Sequence, residues 1–236
     1  MKRRMIKVVA ALASACMVAS SFAGAAFAAE GDGSTPRNET LYFAGQQWGA
    51  INDWNPMSAN SNNAMGIQQK DATRTLIYET LFMYNLLDNK MYPLLGTEYS
   101  WDDDNMSSMT VKLNPDAKWS DGTAVTAADV AATFDYNVKC QSSYGVEMTA
   151  YIESITAVDD QTVTIKTVVG EDGKAVNQLM VQQMLGKMYI MQKAYLETVE
   201  ARCESPEAMK LDPMDDLVAS GPYKPYYDDD QKVVFV

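Results

Sequence analysis

The spacing of apolar and polar residues in the middle of the chain changes from the period of a strand to that of a helix. Residues 111–114 alternate between apolar and polar side chains, which is typical of a half-buried strand. Ser-Asp-Gly at 120–122 predicts a tight turn, since glycine accepts the positive φ that other residues resist. Thr126 is placed to cap the next helix, with Asp129 in its first turn. That helix should run from about Ala127 to Lys139.

Apolar periodicity predicts further elements on both sides of this centre. The Met-rich stripe between 179 and 191 has helical spacing and predicts core packing, because methionine fills irregular gaps. The predicted elements are a helix over 73–81, a hairpin of 98–101 and 109–113 with an acidic tip at 102–105, a hairpin of 151–158 and 162–168, the run over 179–191, a helix over 194–209 that breaks near Pro206, and a last strand over 232–236.

Residues 1–28 have the features of a secretory signal peptide. Basic residues precede a short apolar run over 8–18, and Ala-Phe-Ala at 26–28 is a cleavage site. This predicts export, to the periplasm or the cell surface. The alternative is a lipoprotein in which Cys16 carries a lipid anchor, and it is less favoured because the apolar run before Cys16 is very short.

The charge balance restricts the partners of this protein. Residues 1–28 hold four of the 19 basic and none of the 31 acidic residues, so their removal changes the net charge from −12 to −16. Such a surface repels nucleic acid and anionic lipid at moderate salt, which argues against both as partners.

The composition of the chain gives little support to an enzymatic function. There is no histidine in the sequence, which excludes Ser-His-Asp and Cys-His arrangements and the usual zinc sites. No phosphate-cradling glycine motif occurs, and the Asp-rich tip at 102–105 lacks the order of an EF-hand, so we predict no cofactor and no metal. A pair of carboxylates acting on glycosides is the enzymatic alternative left open. Cys140 and Cys203 are able to pair in an exported chain, but the sequence leaves that question open.

The most ligand-like stretch is the loop over 45–56, which holds two tryptophans among amides and glycines. Amide side chains bind hydroxyl or peptide groups through two hydrogen bonds, and indole rings stack on flat sugar or apolar surfaces. The candidate ligand-binding residues are therefore Gln47, Trp48, Asn52 and Trp54. The alternative for Trp54 is that its ring packs against the core of the domain.

Three ordered motifs resemble those of a known family. Residues 119–130, WSDGTAVTAADV, are similar to the signature of the extracellular solute-binding proteins of family 5, the oligopeptide, dipeptide and nickel receptors of ABC importers. Residues 77–82 with 92–95 resemble its upstream motif, and residues 218–223, VASGPY, its downstream motif. The resemblance extends from about Leu41 to the last residue.

The resemblance implies an α/β, periplasmic-binding-protein-like two-lobed fold of type II, large class, of which only the first lobe is largely present. Under this interpretation 29–39 is a linker and 40–236 is lobe I. Within lobe I, 57–156 approximates an inserted subdomain, and 40–56 with 157–236 forms an incomplete core subdomain. The chain ends on the apolar strand predicted at 232–236, and we expect it to be a fragment from which the second lobe is absent.

The function implied by the resemblance is solute capture rather than catalysis. Such a subunit is a monomer that binds an oligopeptide or an oligosaccharide and delivers it to an ABC permease in the membrane. The form of the loop over 45–56 is similar to that of cello-oligosaccharide-binding members of the family, whereas nickel is disfavoured by the lack of histidine. A carboxylate-based glycoside-acting enzyme and a non-transport surface adhesin are the alternatives.

Overall fold

The computed structural model describes residues 51–58, 76–85, 87–88, 90–229 and 232–236. All of them belong to one compact unit, Tyr42–Val236. The predicted signal peptide with Cys16, and the two candidates Gln47 and Trp48, lie outside the described residues. Among the residues described, no helix is long and apolar enough to cross a bilayer.

Short groups of strands and of helices follow one another along the described part of the chain. In chain order they are β1 (Phe82–Asn85), β2 (Lys90–Pro93), β3 (Gly96–Trp101), β4 (Ser108–Leu113), α1 (Ala127–Lys139), α2 (Ser143–Met148), β5 (Ile152–Asp159), β6 (Thr162–Thr167), α3 (Gln178–Leu185), α4 (Lys193–Arg202), α5 (Pro206–Met209), β7 (Pro225–Asp228) and β8 (Val233–Phe235).

The largest sheet has four strands in the order β3-β4-β6-β5, and all of its pairs are antiparallel. Val111 of β4 lies opposite Val163 of β6, and Met109 lies opposite Ile165. All four of these side chains are fully buried. Because alternate residues of a strand point to the same face, these pairs form the apolar face on which the first core cluster is built.

A second core cluster lies among the loop before Ser58, helix α4 and the segment that precedes β7. Its buried members include Trp54, Tyr189, Leu196 and Met214. The β7–β8 hairpin closes this cluster, because Phe235 of β8 packs edge-on against the Trp54 ring. The two clusters together fix the chain segments that carry the three motifs.

Several predicted elements are confirmed by the structure. Helix α1 has the predicted bounds, with Thr126 at its N-cap. The hairpins over 98–113 and 151–168 form as β3–β4 and β5–β6. The helix predicted over 194–209 does break before Pro206, giving α4 and α5. The last strand forms as β8.

The helix predicted over 73–81 is wrong for residues 76–81, which have no regular secondary structure. Their backbone is paired with distant segments instead: the carbonyl of Leu76 accepts from Tyr223 N–H, and the carbonyl of Glu79 from Ile190 N–H. Long-range hydrogen bonds therefore override the local helical spacing. The β1–β2 hairpin that follows was not predicted.

The Met-rich run over 179–191 is helical only as far as Leu185. Gly186 caps helix α3, and the chain then continues without helical structure. Met188 and Met191 remain buried, at 4% and 1% exposure. The prediction that the stripe fills the core is confirmed, but its helical extent is too long by about two turns.

The cysteines and the predicted subdomain boundary can be placed on this fold. Cys140 is buried and Cys203 half-buried, and both are free thiols. The boundary predicted between 156 and 157 falls inside β5, which pairs with β6. The division of lobe I into an inserted and a core subdomain stays a prediction.

Candidate ligand-binding cleft

The upstream and downstream sequence motifs meet at one junction, although about 140 residues separate them. Gly221 N–H donates to the Ile77 carbonyl oxygen at 2.7 Å, and the Ser220 hydroxyl accepts from Glu79 N–H at 2.9 Å. A Cβ atom at position 221 would lie 2.5 Å from the carbonyl oxygen of Leu76. Only glycine allows the two backbones to approach this closely.

The central motif joins the same junction through a pair of hydrogen bonds. Ser120 N–H donates to the Ala219 carbonyl oxygen at 2.9 Å, and Ala219 N–H donates to the Ser120 hydroxyl at 3.0 Å. Asp121 and Gly122 complete the turn, with Gly122 at a φ of 88°. The three motifs that carry the family resemblance thus define one structural joint.

Asp129 is the buried centre of the central motif, at 5% exposure. Its carboxylate accepts hydrogen bonds from Thr126 N–H at 2.8 Å and from Trp119 Nε1 at 3.3 Å. Its other oxygen accepts from Lys193 N–H at 2.7 Å, at the first residue of α4. One carboxylate therefore ties the turn, the start of α1 and the start of α4 together.

Glu79 is the one acidic side chain of the upstream motif, and it lies half-buried at this joint. Burial raises the pKa of its carboxyl group, because a charged carboxylate loses hydration there. Its backbone is held by Ser220 and Ile190. Glu79 of the upstream motif thus has a structural role, because its backbone links this motif to Ser220 and Ile190.

The end of the predicted ligand loop is folded by its own polar side chains. Asp53 is buried and accepts hydrogen bonds from Asn55 N–H at 3.2 Å and from the Ser58 hydroxyl at 2.9 Å. The Asn55 amide group donates to the carbonyl oxygens of Met209 at 2.7 Å and Asp212 at 3.1 Å. Asp53 therefore stabilises the local fold of this loop, and Asn55 anchors the loop to the segment after α4.

The four predicted ligand-binding residues are placed differently. Asn52 is exposed on the surface. Trp54 is only 5% exposed, and its ring lies edge-on to Phe235 with 6.2 Å between centroids. Gln47 and Trp48 lie outside the described residues. The ligand-binding role of these four residues stays a prediction.

A cleft of about 330 Å³ opens where this loop ends. It lies between residues 56–58, the helix α2 and the segment that follows α3. Its lining side chains combine apolar surface, hydroxyl groups and one pair of opposite charges: Pro56, Met57, Ser58, Ser143, Tyr144, Glu147 and Lys187.

The charges of the cleft belong to Lys187 and Glu147, whose Nζ and Oε1 atoms lie 3.3 Å apart. The Lys187 side chain is 28% exposed and the Glu147 side chain 40%, so water reaches both. Tyr144 closes one wall and packs edge-on against Tyr189, with 6.4 Å between ring centroids. The arrangement offers hydrogen-bond donors and acceptors beside apolar surface, as small-molecule sites do.

Sequence reasoning missed these cleft residues, because they come from three segments that are distant in the chain. Only Pro56, the last residue of the predicted loop, pointed to one of them. No group of three or more His, Cys, Asp or Glu side chains in the described ranges is placed to hold a metal ion.

Comparison with solved structures identifies the class of protein. The chain superposes on the periplasmic oligopeptide-binding protein of an oligopeptide ABC transporter from Thermotoga maritima, with mannohexaose bound, at a TM-score of 0.67 and 26% identity, covering 86% of this chain and 34% of that one. A second crystal structure of that protein gives a TM-score of 0.69 and 27% identity over 85% of this chain. The chain therefore has part of the α/β fold of periplasmic solute-binding proteins.

Sequence comparison identifies the family. The profile of the bacterial extracellular solute-binding proteins, family 5 Middle, matches residues 90–236. The chain belongs to this family, whose members are extracellular binding proteins rather than enzymes. The probable peptide-binding protein YejA of Agrobacterium fabrum (strain C58 / ATCC 33970) is 26% identical over 195 residues, which are 80% of this chain and 28% of that protein. The chain spans about a third or less of the length of these relatives.

Proposed function

We propose that this chain is part of the solute-binding subunit of an ABC importer that captures peptides and delivers them to a membrane permease. The observation that carries the proposal is the family match over residues 90–236. The similarity to a probable peptide-binding protein and to an oligopeptide-binding protein supports peptides as the ligand class. The cleft beside Pro56, with its paired charges and apolar walls, fits a ligand that has both polar and apolar groups.

An oligosaccharide is the second candidate ligand. The relative from Thermotoga maritima was crystallised with mannohexaose, and it is 26% identical to this chain. The indole and amide groups of Gln47, Trp48 and Asn52 suit sugar hydroxyls and ring faces. In this proposal the exposed Asn52 reaches the ligand, and the buried Trp54 supports the loop from below.

The proposed mechanism is capture by closure of two lobes. A ligand shifts a population of open and closed forms only if it binds the closed form more tightly, which requires contacts to both lobes. The closed monomer then meets the permease. Residues 1–28 would direct export to the periplasm or cell surface, with signal-peptide cleavage favoured over a lipid anchor at Cys16.

Isothermal titration calorimetry of the complete product of the gene tests the proposal. We expect heat of binding with a mixture of short peptides and none with mannohexaose or cello-oligosaccharides. Binding of a sugar but no peptide would favour the second candidate. Turnover of a chromogenic glycoside would support the enzyme alternative. Self-association without binding of any small molecule would support an adhesin instead.

A further inference from the structure

Lys187 is the cation that lines the described part of the cleft, in a chain whose net charge is −12. We propose that Lys187 is a carboxylate-binding residue, which recognises the carboxylate of a peptide ligand, and that Glu147 holds it in place while the cleft is empty. This inference rests on the proposed peptide-binding function. It goes beyond that function by naming the ligand group and the residue that selects it.

The ion pair leaves much of the hydrogen-bonding capacity of Lys187 unused. A lysine ammonium has three N–H donors, and a single contact of 3.3 Å joins Lys187 to Glu147. Arg202 differs in this respect, because its guanidinium is held by two carboxylates through four hydrogen bonds, to Asp212 and Asp216. Lys187 thus has donors to offer to a ligand, whereas the donors of Arg202 are largely occupied.

The Lys187–Glu147 pair also lies where a ligand can easily displace Glu147. Both side chains are partly exposed, and exposed ion pairs of this kind are weak. A ligand carboxylate with better geometry can take the place of Glu147, whose own side chain then turns to water. Glu147 is therefore the partner of Lys187 in the empty cleft, which the ligand displaces, and Lys187 is the group that contacts the ligand.

The surroundings of Lys187 match a carboxylate that is attached to an apolar residue. The Ser143 hydroxyl lies on the same lining of the cleft, on the exposed side of α2, and is a second possible donor. Pro56, Met57 and Tyr144 supply apolar surface beside these polar groups. The last residue of a peptide and an acidic side chain both present such a carboxylate.

Binding of oligoalanine peptides to the complete protein tests the inference, with the carboxyl end either free or amidated. We expect the wild-type protein to prefer the free acid, and Lys187→Met to weaken binding of the free acid by about ten- to a hundredfold, as loss of a charge-assisted hydrogen bond implies. The amidated peptide should bind equally to both proteins. An amidated peptide with one internal glutamate separates an end group from an acidic side chain as the source of the carboxylate.

Substitutions of Glu147 and of Lys187 should have different effects on the affinity for the free-acid peptide. Glu147→Gln removes the competitor of the ligand, so the free acid should bind at least as tightly as it does to wild type. Lys139→Met is the matched control, because Lys139 forms a comparable exposed pair with Glu200 away from the cleft, and it should change nothing.

Three results would overturn the inference: no preference of the wild-type protein for the free acid, equal effects of Lys187→Met and Lys139→Met, or a loss of affinity in Glu147→Gln as large as in Lys187→Met. Failure of the wild-type protein to bind any peptide is a different outcome. It would refute the proposed function, and this inference with it.

Discussion

Replacement of Asp129 by asparagine tests the structural role of the central motif most directly. Asp129 lies at 5% exposure, and its two carboxylate oxygens accept from three residues: Thr126, Trp119 and Lys193. An asparagine side chain has nearly the same shape, but it keeps one acceptor oxygen and replaces the other with an NH₂ group. The substitution therefore changes hydrogen bonding without creating a cavity.

The size of the stability loss in Asp129→Asn depends on which hydrogen-bond donor loses its acceptor. Oδ2 serves Thr126 and Trp119, and Oδ1 serves Lys193. The least costly orientation keeps the amide oxygen at the Oδ2 position, so the Lys193 N–H faces an NH₂ group. One partly buried donor is then unsatisfied, which costs about 1–3 kcal/mol, and the other bonds lose their charge assistance. We expect a loss of about 2–4 kcal/mol in the free energy of unfolding.

Urea unfolding followed by tryptophan fluorescence measures this loss as a lower midpoint at unchanged slope. Asp135→Asn makes the same chemical change on the exposed side of the same helix and should stay within about 0.5 kcal/mol of wild type. Thr126→Ala removes the cap residue alone and should cost about 1 kcal/mol. An Asp129→Asn midpoint as close to wild type as that of Asp135→Asn would refute the reasoning.

Three further outcomes follow from the same joint and its surroundings. Gly221→Ala should lower the free energy of unfolding by about 1–3 kcal/mol in urea titrations, since the new Cβ would lie 2.5 Å from the Leu76 carbonyl oxygen. Burial raises the pKa of the Glu79 carboxyl group, so the folded protein binds the carboxyl proton more tightly than the unfolded chain does. The stabilisation that comes from binding this proton is lost as the pH rises from 4.5 through the raised pKa of the folded protein. Glu79→Gln should therefore stabilise the protein at pH 7, by an amount that vanishes when unfolding is measured below pH 4.5. Mass spectrometry after iodoacetamide treatment should find Cys203 alkylated before the buried Cys140, and the reverse order would contradict the assigned burial.

Local signals in the sequence were sufficient for the parts of the fold that are stabilised locally. Helix α1 carries its own cap at Thr126, and strands β4 and β6 at the centre of the large sheet alternate between apolar and polar residues, so the helix and the two hairpins were predicted close to their observed bounds. Residues 76–81 have an apolar spacing that favours a helix, but the carbonyl groups of Leu76, Ile77 and Glu79 accept from residues more than 100 positions away. No local pattern reports such a pairing, which explains why that prediction is wrong.

The motifs predicted the family but not the cleft, and the structure gives the reason. Trp119, Asp129 and Gly221 are constrained by close packing and buried hydrogen bonds, so they mark the fold. Lys187 and Glu147 meet only because α2 and the end of α3 are brought together by the core. Residues that recognise a ligand across such a cleft have no fixed spacing in the sequence.

Substitution of Trp54 separates a ligand-binding indole from a structural one. Trp54 is 5% exposed, and its ring packs on Phe235. The backbone N–H of Trp54 donates to the Pro213 carbonyl oxygen at 2.8 Å. Removing a buried aromatic ring costs about 3–5 kcal/mol, so Trp54→Ala should lower the urea midpoint strongly, whereas Asn52→Ala, at an exposed position, should leave it within about 0.5 kcal/mol. Trp54→Phe retains most of the packing and should bind the ligand with wild-type affinity. A Trp54→Phe protein of normal stability that binds the ligand ten times more weakly would place the indole on the ligand and contradict its assignment to the core.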